Sequence, residues 1–590
     1  MLKSLTDWID DRTGYRSLLA WARDFPAPGG VGWRHALGPA FAIVFVLEAI
    51  TGLLLMVAYS PSSSTAWGSV FHIEHALWMG WFIRGVHYFA GQAMVILIGL
   101  VLLQMVVTGA YRQPREFRWW LGLGLLFLTI ALSRTGHLLP WDQEGYWSTK
   151  IETNIVAGIP VVGPYLQRLI VGGDDYGNAT ITRFHAAHVV VLPTLLGVCL
   201  AATIVLVRRR RTVTDEIART EAFWPEQALK NLVVAVVVVV GSIIASLALG
   251  GAGLDAPADP SSREFPARPD WYFIWLFHLL RTLPSDLRLV ATLVVPGAIV
   301  SLLFLLPLLD RLLPKKLAHG LACAVVLAIL GGVGYLTYGS LRADAADAHF
   351  REALAEADQT SDRATALAAD LETGVPPEGS TYLLRQDPLW RGRGVLERKC
   401  LGCHVAEGKG KGEQTASDLA QFGSREWIGG LLENPSSKRY FGATAGAGGM
   451  AEWKRASKLK PEELSLVADF VATFAVVPDD VTPDDWLSTK EIADHPGLPL
   501  FQKECGTCHV VDGLSEGGTR DAPELFGWGS PRWISRMVRK PGAADRYGFL
   551  EPKHQMPAFP AEQLTRGDLD MVIRYLRGDY FKTAPAAKAH

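Results

Sequence analysis

The chain has 590 residues, which at roughly 100–200 residues per domain predicts about three to five domains. Apolar residues make up 49% and charged residues 20%, which excludes a disordered or acidic-tail protein. The net charge of −2 leaves no basic excess for nucleic acid, and six cysteines are too few for a disulfide-built scaffold.

In chain order, the first 35 residues are charged and lack a short apolar core, so no cleavable signal peptide is expected. Apolar runs follow at about 36–58, 88–110, 119–139, 185–207, 230–250, 288–309 and 318–338. Each approaches the roughly 20 residues needed to cross a bilayer. Basic residues cluster in the N-terminal segment (Lys3, Arg12, Arg16, Arg23, Arg34), after the second run (Arg112, Arg115, Arg118), after the fourth (Arg208 to Arg211) and after the sixth (Arg311, Lys315, Lys316). These all fall on one side, which the positive-inside rule makes cytoplasmic. An odd number of spans then places everything after residue 340 outside.

Residues 341–384 are rich in Ala, Asp and Glu, then in Pro and Gly, and read as a helical spacer followed by a flexible joint. The rest contains a repeat. One copy reads CLGCH…FGSREWI…NPSSKRYFG…M, the other CGTCH…WGSPRWI…KPGAADRYG…M. Trp427 and Trp533 each precede a proline, Pro435 and Pro541, by eight residues, and Met450 and Met556 follow those prolines by fifteen.

Cys-x-x-Cys-His is the attachment signature of c-type haem: two thioethers hold the porphyrin and the adjacent histidine ligates iron. Cys400, Cys403 and His404 form one set, and Cys505, Cys508 and His509 the other. Zinc would need two further ligands at suitable spacing, and a thioredoxin-like pair would need a βαβ pattern; neither is present. Met450 and Met556 are the expected sixth ligands, with His554 a rival at the second iron. Cys199 and Cys323 sit alone in apolar runs and read as inert core thiols.

A histidine inside lipid is costly, so function is its default reading. His87 and His188 begin the second and fourth spans, at one depth, where two facing histidines can clamp a haem. Arg84 and Arg183 stand near enough to meet its propionates. Gly38 and Gly52, and likewise Gly122 and Gly136, lie fourteen residues apart, about 21 Å of helix, where small residues admit porphyrin edges.

The segments GWFIRGVH, TGHLLPWDQEGYW, IPVVGPYLQRLI, TITRFHAAHVVVLP and RPDWYFIWLFHLLRTLP resemble cytochrome b of the quinol:cytochrome c oxidoreductase (cytochrome bc) family, in its split, chloroplast-type form. The likeness covers nearly all of residues 1–340, and the stretches around Met450 and Met556 resemble class I cytochrome c. The resemblance implies an all-α fold: a seven-helix transmembrane bundle followed by two small α-helical cytochrome c domains. The expected boundaries are 1–211 for the four-helix haem b bundle, 212–340 for a three-helix domain, 341–384 for the linker, and 385–480 and 485–585 for the cytochrome c domains. It also implies a quinol-oxidising pocket in which the family's Pro-Glu-Trp-Tyr motif appears as Pro269-Asp270-Trp271-Tyr272, with Asp270 receiving a proton and Tyr272 beside it.

This chain departs from the family where members carry a second histidine four helical turns after each first one. Those positions hold Val101 and Thr203, neither a plausible iron ligand. The cysteine that anchors an extra haem in chloroplast-type members corresponds to Ala36, and the usual glutamine of the first span is Glu48. The expectation is one haem b with two covalent haem c groups, an altered Q-cycle, and quinol as substrate. His35, His319 and Gln104 are the alternative donors for a second haem b. No Rieske iron–sulfur motif occurs, so that partner would be a separate chain. A soluble cytochrome c, a terminal oxidase or a reaction centre would accept the electrons. The expected setting is a homodimeric complex in a bacterial inner membrane, with its cytochrome c domains periplasmic. The competing reading is a non-catalytic haem-bearing anchor that wires a periplasmic enzyme to the quinone pool.

Overall fold

The computed structural model describes residues 2–23, 26–27, 31–209, 221–262, 265–370, 374–411, 413–444, 447–515 and 522–582. Of the expected basic clusters, Arg210 and Arg211 lie outside these residues. The chain divides into two compact units, Met1–Thr381 and Tyr382–His590.

The first unit holds seven helices long and apolar enough to cross a membrane: α1 (Leu37–Met56), α2 (Gly80–Val107), α3 (Glu116–His137), α4 (Asn178–Val207), α5 (Glu226–Ala248), α6 (Val290–Leu309) and α7 (Lys315–Ala346). Between 6% and 39% of the most apolar window of each is buried in the protein, so their all-round hydrophobicity answers to lipid rather than to a core. Helix α2 starts well before the apolar run at 88. The left-handed turn at Met79 and the pairing of Arg84 with Glu74 carry the helix back through a polar stretch that hydropathy alone discounts. Helices α1 and α5 pack on α2, and α3 on α2 and α4. At Gly85 a Cβ would lie 2.0 Å from the Ser246 hydroxyl, so only glycine lets α2 and α5 approach so closely. The indole N–H groups of Trp119 and Trp120 donate to the carbonyls of Leu303 (2.8 Å) and Phe304 (2.9 Å), joining α3 to α6. At that end of the bundle Arg112 pairs with Asp310 at 2.9 Å, and Arg311 pairs with Glu116. Among the described residues the strand pairing is confined to the two-residue pairing of Pro26–Ala27 with Glu221–Ala222 and three isolated bridges.

The stretch expected to be a spacer and joint packs on this unit. Asp347 caps the N-terminus of α8 (Ala348–Ala369), accepting from the Phe350 N–H at 3.1 Å. Ser361 accepts from the Ala256 N–H at 2.9 Å, and a Cβ on Gly379 would meet the Ser64 carbonyl at 2.7 Å.

The second unit contains both repeats around one hydrophobic core. Each repeat opens with a short helix, α9 (Arg393–Lys399) and α12 (Leu498–Glu504). It continues through a tryptophan-bearing helix, α10 (Arg425–Glu433) and α13 (Pro531–Arg539), and closes with α11 (Pro461–Thr473) and α14 (Arg566–Arg577). Ser424 and Ser530 cap α10 and α13, accepting from the N–H of Trp427 and Trp533. The opening helices are exchanged between repeats. Helix α9 and the π turn before it pack on α14, the closing helix of the second repeat, while α12 packs on α11 of the first. Both crossings turn on glycine. A Cβ on Gly392 would lie 2.2 Å from the Met571 carbonyl, and one on Gly497 2.1 Å from that of Leu466. Arg391 pairs with Asp568 at 2.8 Å across the first crossing, and Phe501 meets Phe470 across the second.

Candidate functional site

The bundle brings His87 and His188 opposite one another, with ring centroids 6.2 Å apart and ring planes at 79°. Two imidazoles sharing one metal through bonds of about 2 Å have centroids about 6 Å apart once the ring radii are added. Each Nδ1 is engaged from behind, which frees each Nε2 for the gap. The His188 Nδ1 meets the Leu132 carbonyl at 3.0 Å and the Thr135 hydroxyl at 3.2 Å. The His87 Nδ1 meets the Thr51 hydroxyl at 2.9 Å and a Glu48 carboxylate oxygen at 3.1 Å. A π-helical turn at Ala187–Val191 carries His188, the local irregularity that helices often adopt at functional positions.

Gly52 and Gly136 stand against the histidine rings: added Cβ atoms would lie 3.1 Å from the His87 Cε1 and 2.7 Å from the His188 Cε1. At the opposite end Gly122 faces the Leu102 side chain at 2.9 Å, and Gly38 faces open space. Within the protein itself, Gly52 and Gly136 thus border the two imidazoles and Gly122 borders a leucine side chain. Arg84 pairs with Glu74, and Arg183 donates to the Leu169 carbonyl at 2.5 Å.

Residues 133–136 of α3 connect this pair to the Pro-Asp-Trp-Tyr loop. Thr135 and Gly136 meet His188, while Ser133 and Arg134 meet the loop. Arg134 pairs with Asp270 and, at 2.8 Å, with Glu152. The Tyr272 hydroxyl donates to Asp270 at 2.6 Å and also lies 2.9 Å from the Ser133 hydroxyl, and the Trp271 N–H donates to Gln92 at 2.8 Å. Burial pushes the Asp270 carboxyl up. The charges of Arg134 and His137, with hydrogen bonds from Tyr272 and Arg134, outweigh it and hold the group below the ordinary carboxylate value. Burial also pushes the Tyr272 phenol up, reinforced by the Asp270 charge. The His137 Nε2 is buried without a hydrogen-bond partner. Arg134, Glu152, Thr51 and Thr135 escaped the sequence reading because an isolated Arg or Thr in a span carries no motif. The serine, arginine and threonine of one helical turn become informative only once their partners are in place.

In the second unit the Nδ1 of His404 donates to the Ser417 carbonyl and that of His509 to the Pro523 carbonyl, both at 2.8 Å, leaving each Nε2 for iron. Burial holds both imidazoles below their ordinary value, which suits a neutral ligand. Burial pushes the Cys400 thiol up to about 11 and the Cys505 thiol up to about 12. Cys403 and Cys508 are exposed. Met450 lies in the helix Ala447–Ala456 against the shared core, and Met556 is half-buried after a short turn at Pro552–His554. The residues present fit haem at all three places: a histidine pair with a metal-sized gap, and two Cys-x-x-Cys-His loops whose histidines are oriented from behind.

These features define a membrane electron-transfer protein that holds haem. Residues 92–257 match the family model described as Cytochrome b(N-terminal)/b6/petB, residues 257–344 match Cytochrome b(C-terminal)/b6/petD, and residues 390–475 and 496–578 each match Cytochrome c. Cytochrome b6 of Synechococcus sp. (strain RCC307) is 32% identical over 204 residues, 35% of this chain and 94% of the relative. Cytochrome b6 of Synechococcus sp. (strain JA-3-3Ab) is 34% identical over 209 residues, 35% of this chain and 97% of the relative. A solved chain titled "Hyperthermophilic respiratory Complex III" is 23% identical with a TM-score of 0.45, covering 57% of this chain and 99% of that one. The chain belongs to the cytochrome b/b6 family and carries two cytochrome c domains fused behind it. It is a multi-pass electron-transfer subunit of the cytochrome bc type, with haem b and haem c as its cofactor classes.

Proposed function

We propose that this chain oxidises membrane quinol as the cytochrome b/c subunit of a quinol:cytochrome c oxidoreductase, with one haem b held by His87 and His188. The observation that carries the reading is the single turn of α3 that serves both places, Thr135 and Gly136 at the histidine and Ser133 and Arg134 at Asp270 and Tyr272. Haem, when bound, supplies the one-electron acceptor beside the pocket. Asp270 takes a quinol hydroxyl proton on its carboxylate. Because Arg134 holds that carboxylate ionised and occupied, proton capture requires the carboxylate to leave the guanidinium. Glu152 stays paired with Arg134 and keeps it from being left as a lone buried charge. Tyr272 orients the carboxylate through its hydrogen bond.

The single haem b is supported by the opposite end of the bundle. Val101 packs among apolar neighbours, the Thr203 hydroxyl donates to the Cys199 carbonyl at 2.9 Å, and Leu102 fills the space beside Gly122. Electrons then leave by a separate Rieske partner and the haem c sites of His404 with Met450 and His509 with Met556, toward a soluble cytochrome c, an oxidase or a reaction centre. The proposed setting is a homodimeric complex in a bacterial inner membrane with the second unit periplasmic, and the Q-cycle is altered accordingly. The missing inner histidines also favour a second reading, a haem-bearing anchor without quinol oxidation. Pyridine haemochrome analysis of the purified complex should give a c:b ratio near 2:1, and a 1:1 ratio overturns the single-haem reading. Quinol should reduce the c haems in a manner blocked by quinone analogues; reduction that ignores them favours the anchor.

A further inference from the structure

We infer that Asp344 is a positioning residue for the quinol pocket, a single carboxylate that grips both ends of the segment bearing Pro269-Asp270-Trp271-Tyr272. The inference rests on the proposed oxidation of quinol at that loop. Arg268 immediately precedes the loop, and Arg281 lies in the last turn of the short helix Ile274–Thr282 that follows it. Arg268 holds Asp344 with a two-pronged grip, its Nε 3.0 Å from one carboxylate oxygen and its Nη2 2.9 Å from the other. Arg281 donates to the same carboxylate at 2.7 Å. Residues 268–281 therefore begin and end at one anion. Between those ends the Asp270 carbonyl accepts the Phe273 N–H at 2.8 Å, which ties the loop to the start of the helix.

This grip is more than a solvated ion pair. The Asp344 side chain is only 14% exposed. The Arg268 guanidinium also rests over the rings of Phe350 and Phe277, 3.9 and 4.7 Å from their centroids. Asp344 belongs to the last turn of α7 and Phe350 to the first turn of α8, so the junction of last span and linker helix supplies the support. Asp347, the cap of α8, stands 4.0 Å from Arg281 as a second, looser acid. The helix Ile274–Thr282 packs along α7, where a Cβ on Gly339 would lie 2.8 Å from the His278 Nε2. Arg134 and Gln92 hold the middle of the loop at Asp270 and Trp271, and Asp344 holds its ends. A proton acceptor works only when it is placed to within about 0.5 Å, and fixing both ends of its loop supplies that constraint.

The test is Asp344→Asn in the intact complex, with decylubiquinol and menadiol as substrates and turnover expressed per haem b. The amide keeps the shape but removes the charge that both arginines share. The kcat is expected to fall by about tenfold to a hundredfold, the scale on which a misplacement of about 1 Å acts. A residue that only stabilised the fold would lower the yield of complex and leave turnover per haem b as it was. Asp344→Glu, which restores the charge, should recover part of the loss. Hydrogen exchange over 268–281 should rise in Asp344→Asn while that over α3 stays at the wild-type level. An unchanged kcat per haem b in Asp344→Asn overturns the inference. Where that variant does not assemble, Arg281→Gln decides, because Arg268 and Asp344 remain paired in it. A lowered kcat there supports the grip, and a wild-type kcat overturns it. A wild-type complex that oxidises neither quinol overturns the quinol reading instead, so the two failures are distinct.

Discussion

Replacement of Gly136 by alanine is the sharpest test of the histidine pair. The new Cβ would lie 2.7 Å from the His188 Cε1 and 3.2 and 3.3 Å from its two ring nitrogens, against the 3.4 Å at which ordinary contact begins. The ring would have to retreat by about 0.7 Å, yet its Nδ1 is fixed by the Leu132 carbonyl at 3.0 Å and the Thr135 hydroxyl at 3.2 Å. Overpacking of a rigid site costs about 1–3 kcal/mol, which in haem affinity is about 5- to 150-fold. Gly52→Ala should act in the same direction but more weakly, because its Cβ would sit 3.1 Å from the His87 ring. Gly38→Ala should be silent, since nothing lies within 4 Å of its added Cβ. The assay is the b:c haem ratio in purified complex, with covalent haem c as the internal standard. Full haem b content in Gly136→Ala, or an effect of Gly38→Ala equal to that of Gly136→Ala, would refute the reasoning.

Arg134→Leu strands Asp270 and Glu152 as buried carboxylates and should destabilise the first unit by about 3–5 kcal/mol, read as a lower melting temperature in detergent. Adding Asp270→Asn to it should recover part of that loss, and a double variant no more stable than the single one would count against the pairing. Asp270→Asn alone should depress quinol turnover while haem content stays constant; unaffected turnover would remove Asp270 from the proton step. Two acids outside the spans titrate near neutrality: burial pushes Glu144 up to about 8 and Asp255 up to about 7, each reinforced by the other carboxylates around it. Raised acids favour the native state at low pH, so this contribution is present below about pH 4 and is lost as pH rises through about 7 to 8. Glu144→Gln with Asp255→Asn should therefore flatten the decline in melting temperature between about pH 5 and 8.5, and an unaltered slope would contradict these assignments.

The features legible in the sequence were those with a period or a motif. All-round apolar runs marked seven spans because lipid imposes one requirement on every face of a helix, and the doubled Cys-x-x-Cys-His loops carried their chemistry in adjacent residues. Helix ends were less legible. Gly80–Arg84 is helical because Arg84 finds Glu74, a pairing that hydropathy does not see. The glycines were noticed for their spacing, but what they face depends on which side chain of another helix arrives there: His188 at Gly136, Leu102 at Gly122. Arg134 and Glu152 were missed for the same reason, since they acquire meaning only through Asp270, far along the chain. The exchange of opening helices between the repeats was equally hidden, because duplicated sequences specify which surfaces match and not which copy supplies them.

That exchange bears on how the tail is made. In each half the helix leading into the haem loop is braced by the closing helix of the other half, at Gly392 against Met571 and at Gly497 against Leu466. Neither opening helix therefore finds this bracing helix within its own repeat, and that of the first repeat is braced by the last helix of the module. A lesion in either closing helix should therefore uncover the opening helix of the other half, and the two halves should lose their order together.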